Sequence, residues 1–144
     1  MTRRILLLAM LLAACSSKKS DDRKETPAGG TPATVSEEDR ALADQWAALY
    51  VEYAAAMEGA GVDCAKGAAA VRQVNAKNAD LIAKGKPRLA ALRGDPAAAR
   101  WLDDTYKPKL GTALDRMAGL LDICRGNAEL SAALAAGPFS KKKQ

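Results

Sequence analysis

The chain contains no histidine, and only one Phe, two Trp and three Tyr among its 144 residues. Without histidine, the commonest general acid–base group and the commonest metal ligand are both missing. So few aromatic rings leave little surface on which nucleic-acid bases could stack. The sequence also lacks a Cys-x-x-Cys-His haem attachment, a glycine-rich phosphate loop and a Gly-x-Ser-x-Gly elbow. A haem held without covalent attachment would have to use Met57 and Met117, but both fall on apolar helical stripes where methionine fills gaps. Asp103 and Asp104 are adjacent on a helix and point about 100° apart, so they do not act as a pair. Glu37, Glu38 and Asp39 open a helix, where negative charge has a local structural purpose. No enzyme, cofactor or metal site is therefore expected.

Charge excludes a further class. The formal net charge is +5, yet residues 36–138 hold 13 basic and 14 acidic side chains, a balance of −1. The excess sits at the two ends, in Arg3, Arg4 and Lys141–Lys143 among others. A nucleic-acid binder concentrates its excess on a folded face, so no nucleic-acid partner is expected.

The longest apolar run is Ile5-Leu-Leu-Leu-Ala-Met-Leu-Leu-Ala-Ala14, preceded by Arg3-Arg4. As a helix it would span about 15 Å, half of a bilayer core, which suits a secretory leader and not a membrane span. It ends in Leu12-Ala13-Ala14-Cys15, followed by polar Ser16-Ser17-Lys18-Lys19. Here the chain resembles the bacterial lipoproteins through their lipobox. The resemblance implies cleavage before Cys15, diacylglycerol on its thiol and acylation, palmitate included, of the new amino group. Several acyl chains anchor a domain stably where one would be marginal. Ser16 in place of aspartate implies sorting to the outer membrane, with the domain in the periplasm or at the surface of the cell envelope.

Four segments are expected: a leader over 1–14, acylated Cys15 and a flexible linker over 15–35, a helical domain over 36–138, and a basic tail over 139–144. The linker has almost no large apolar side chains and carries Pro27, Gly29, Gly30 and Pro32. It cannot bury enough surface to order itself. The lysine tail suits a solvated end or contact with an anionic surface. It also invites comparison with murein lipoproteins, which are joined through a C-terminal lysine, but Gln144 comes last here.

Residues 36–138 are rich in alanine and contain no alternating β-branched run, so the expected fold is all-α, a small three- to four-helix bundle. Ser36 should cap a first helix carrying Leu42, Trp46, Leu49, Tyr53 and Met57, closed by Gly59 and Gly61. A second helix should start at Asp63 and run to about Leu92, bent near Gly85-Lys86-Pro87. Gly94-Asp95-Pro96 is the turn into a third helix, disturbed by Pro108 and ended by Gly126, with a short fourth after Asn127. If the second and third helices form a long hairpin about Gly94, residues at one level have numbers summing to about 188. Cys64 then meets Cys124, Val71 meets Met117, Asn78 meets Leu110 and Ile82 meets Tyr106.

The implied export places the thiols in an oxidising compartment and commits Cys15 to lipid. A Cys64–Cys124 disulfide is the expectation. Asn75 and Asn78, beside an apolar stripe, should fix helix register. Tyr50 and Trp101 are the candidate contacts for a protein partner, with end-packing as the ordinary role. The functional expectation is an interaction or scaffolding domain held at the membrane by Cys15, its envelope partner undefined. The alternative is a binding protein for an apolar small molecule or lipid, with room left by Gly67, Gly111 and Gly119.

Overall fold

A computed structural model describes residues 30–139. The leader, Cys15, most of the linker and the lysine tail lie outside the described residues. The described residues form an all-α bundle of five helices: α1 Glu37–Ala60, α2 Cys64–Lys77, α3 Ala79–Leu92, α4 Pro96–Ile123 and α5 Ala128–Ala136.

The helix starts follow from local chemistry. Ser36 Oγ accepts from the Asp39 N–H at 3.1 Å, and the Asp39 carboxylate accepts from the Ser36 N–H in return. This reciprocal box satisfies two amide donors that the first turn leaves without helical partners. Asp63 and Asp95 cap α2 and α4 by each accepting from two backbone N–H groups of the first turn, and Asn127 caps α5 by accepting from Leu130 N–H. Gly61 and Gly126 take φ values of +64° and +86°, a region glycine enters without a Cβ penalty, and each reverses the chain after a helix.

The interruption predicted near Pro87 occurs elsewhere. Pro87 lies inside α3, whereas Asn78 separates α2 from α3 with φ −109° and ψ 22°. Its side-chain N–H donates to Val74 O at 2.9 Å and to Glu52 Oε2 at 3.1 Å, so the residue bonds locally and across to α1. Pro87 costs α3 one backbone bond, but on an exposed side, and the turn survives. Pro108 likewise sits within an unbroken α4.

The packing follows a different order from the hairpin register. Helix α4 runs beside α1 and parallel to it, as the Tyr106–Asp44 and Arg116–Glu58 contacts show at successive levels. Helices α2 and α3 run antiparallel to α1, fixed by Lys77–Glu52 and Arg88–Asp39. The arms of the α3–α4 hairpin do not face each other along their length. Asn78 meets Glu52, not Leu110, and Ile82 and Tyr106 belong to separate apolar clusters. Only near the ends of α2 and α4 does the expected pairing hold. Cys64 and Cys124 form a disulfide with Cα atoms 5.6 Å apart. A Cβ added to Gly67 would stand 2.7 Å from Leu120 Cδ2, so the missing side chain lets these helices close.

The core has two parts. The first gathers Tyr53, Met57, Val71, Met117 and Leu120 around the disulfide, with Leu130 and Ala133 of α5. The second gathers Val35, Ala43, Leu89, Leu92, Ala98, Leu102 and Tyr106 at the hairpin-turn end. Trp46 touches both clusters. Its ring lies where a Cβ on Gly85 would come within 2.5 Å.

Candidate functional site: an apolar cleft between α1, α3 and α4

Helix α5 packs along α2 and has only 9 residues, against 28 in α4. At 1.5 Å per residue it covers about 14 Å of a bundle about 42 Å long. Beyond Gly137, Pro138 and Phe139 continue the cover, and the Phe139 ring meets Tyr50 and Tyr53 edge-on at 4.9 and 5.1 Å. Below this plug, α3 and α4 diverge over α1 and leave a cleft of about 1020 Å³. Ala43, Trp46, Ala47 and Tyr50 of α1 form its floor. Leu89 and Ala90 line the α3 wall, Leu102, Leu110 and Leu114 the α4 wall, and Pro138 closes one end. Its volume is at the upper end for sites that take small molecules.

The charged groups lining the cleft are Lys86, Arg93, Asp103 and Lys107, an excess of two positive charges. Lys86 lies on α3 and Arg93 is the residue that ends it, so they mark one edge about two turns, or about 10 Å, apart. Lys107 and Asp103 stand on the opposite wall. Burial raises the Tyr50 pKa, and the positive charge of Arg93 partly offsets this, which places that cation's field in the cleft. Tyr106 is pushed up to about 12 by burial and by its hydrogen bond to Asp44 Oδ1 at 2.9 Å. Both tyrosines are neutral over the physiological range. The cleft offers apolar contact and a net positive charge.

The disulfide end is built differently. Tyr53 is fully buried, and its hydroxyl donates to Asn75 Oδ1, while Asn75 Nδ2 donates to Ala133 O at 2.7 Å. Asn75 thus joins α1, α2 and α5, the register role expected of it. Burial, with the nearby charge of Glu52, pushes the Tyr53 pKa up to about 12. Among the described residues no buried side-chain polar atom lacks a hydrogen-bond partner. Met57 and Met117 are 0% and 1% exposed, and both pack into the apolar core.

At the opposite end, Asp39 is the one buried charged residue among those described, at 2% exposure. Arg88 Nε and Nη2 donate to its two oxygens at 2.6 and 2.7 Å. Those bonds hold its pKa down to about 2, against burial that would raise it. The pair pins α3 to the start of α1 on the margin of the cleft.

The sequence candidates separate here. Tyr50 lines the cleft, whereas Trp101 packs edge-on against Tyr106 with centroids 5.6 Å apart and is not a lining residue. Of the three glycines read as leaving room, Gly67 lies beneath Leu120 and Gly119 has open space where a side chain would project. Gly111 alone lines the cleft. Sequence reasoning missed Lys86, Arg93 and Lys107, which carry the site's charge. The available signal was the brevity of the last helix, since Gly137-Pro138 follows Asn127 too soon for it to run the length of the bundle.

Among the described residues no helix is long and apolar enough to cross a membrane, and no cluster of three His, Cys, Asp or Glu could hold a metal. Comparison with known proteins finds no matching family model, curated protein or solved structure.

Proposed function

We propose that this chain is a lipid-anchored envelope protein whose helical domain is a non-catalytic interaction module, and that the α1–α3–α4 cleft is its contact site. The observation that carries the contact site is an open apolar trough with a cationic margin between α1, α3 and α4. Exposed contiguous apolar surface of this kind marks a place where something else docks. The anchor rests on the lipobox ending in Cys15, and the outer-membrane address rests on Ser16. Tyr50 contributes to the contact from the cleft floor, and Trp101 supports the wall through Tyr106.

Two measurements test this reading. Metabolic labelling with an alkyne fatty acid should tag the protein, and Cys15→Ser should abolish both the tag and membrane retention. A photo-crosslinking amino acid at Leu110, in the cleft, should capture an envelope component in cells; one at Ala69, exposed on α2, should not. Capture from Ala69 alone would move the contact site away from the cleft.

The cleft's volume and lining also favour a second reading, in which it holds an apolar small molecule or single lipid. Native mass spectrometry of the protein released from its membrane separates the two. A persistent small adduct supports the ligand, and a bare mass supports a macromolecular contact.

A further inference from the structure

Resting on the reading that the cleft is the contact site, we infer that its occupant is an amphipathic helix of a partner protein, with acidic residues flanking its apolar stripe. The helix supplies the cover that α5 gives only to the other half of the bundle.

Three observations point to a helix. First, the lining of α4 runs from Leu102 to Leu114, about 18 Å, which matches about twelve residues of helix. Second, the chain fills the equivalent place beside α2 with a helix, α5, whose Leu130 and Ala133 enter the core. Third, the trough is open along one side, so whatever fills it keeps one face in water. An amphipathic helix has a polar face for that side, whereas an acyl chain would leave its methylenes exposed.

Charge then selects among helices. Lys86 and Arg93 line one edge, and Lys107 lines the other beside Asp103. A helix with Glu or Asp beside its apolar stripe meets these cations on both walls, and a lysine-flanked helix meets like charge. Arg88, although near, is already engaged by Asp39 and takes no part.

The test uses the full lipidated chain carrying Trp101→Phe in phosphatidylcholine nanodiscs, which leaves Trp46 on the cleft floor as the single tryptophan. The probes are two alanine-based peptides of about four turns with the same leucine stripe, one flanked by glutamate and the other by lysine. The glutamate peptide should shift Trp46 emission, gain helical circular dichroism and bind about tenfold more tightly than the lysine peptide. Lys86→Glu with Lys107→Glu should reverse that order. Equal binding of the two peptides, or an order unchanged by the charge reversal, overturns the acidic-helix assignment. Binding of neither peptide, with Trp46 responding to lysophosphatidylglycerol or to self-association, overturns the helix in favour of an anionic amphiphile or a second copy. All these outcomes leave the cleft as the contact site. That reading fails separately, if crosslinks in cells arise from Ala69 and not from Leu110.

Discussion

The two ends of this bundle share α1 and α4 and take α2 at one end and α3 at the other, yet one end is closed and the other is open. At the disulfide end α1, α2 and α4 are joined by α5, and the largest side chains there, Tyr53, Met57 and Met117, are almost wholly buried. Among the described residues α1, α3 and α4 have no fourth helix over them at the turn end, and Leu110 and Leu114 keep part of their surface in the cleft. The difference arises from the length of α5 and not from composition, because small residues dominate both ends. Closure by even a nine-residue helix turns partly covered side chains into core. Its absence leaves apolar surface available for another molecule.

The contrast predicts unequal costs for similar damage. Replacing both Cys64 and Cys124 with serine opens a loop with a sequence separation of 60 and should cost about 4 kcal/mol in the chain-entropy model. Chemical denaturation of the wild type and the double variant measures it. The next effect separates the ends directly. Met117→Ala should cost about 3 kcal/mol because it empties a closed site, while Leu110→Ala on the cleft wall should cost about 1 kcal/mol. Equal losses would mean that the cleft is closed in solution.

Asp39→Ala should cost about 2 kcal/mol, by removing the reciprocal cap of α1 and the partner of Arg88. The same pair predicts a pH dependence. The folded Asp39 pKa of about 2 lies below the ordinary 3.8, so its stabilisation is fully present above about pH 4 and is lost as pH falls through 2. Acid unfolding of Asp39→Ala should therefore show a shallower loss between pH 4 and 2 than wild type. The smallest expected change is Leu114→Gln, within about 0.5 kcal/mol, because this side chain is 43% exposed at the cleft edge. Its effect should appear in partner capture and not in the unfolding midpoint.

Much of the skeleton was legible before any coordinates. Ser36, Asp63, Asp95 and Asn127 each announce a helix start because a short polar side chain can bond amides two or three residues ahead. Cys64 and Cys124 pair as expected, although the register argument behind them holds only at that end of the hairpin. Farther along, α1 takes the place beside α4 that the hairpin model gave to α2 and α3. Apolar stripes identify which faces are buried but carry no label for the partner helix, and several pairings bury the same residues. Asn78 was placed inside one continuous second helix for a related reason. Its local bond to Val74 is available to any asparagine, and its bond across to Glu52 depends on the approach of α1.

Of the candidate contacts, Tyr50 reaches the cleft and Trp101 does not, though both share the same local signature of a large ring at the margin of a stripe. Lys86, Arg93 and Lys107 went unnoticed because basic residues on helices usually face solvent. Their relevance depends on an apolar trough between them.

The sequence by itself determined the helical class, the capped starts and the glycine turns. These depend on interactions within one turn or on composition. Only the tertiary structure decided which helices lie side by side, where the helix yields, and that one half of the bundle stays uncovered. Those outcomes follow from the relative lengths and mutual packing of segments far apart in the chain, which no local pattern contains.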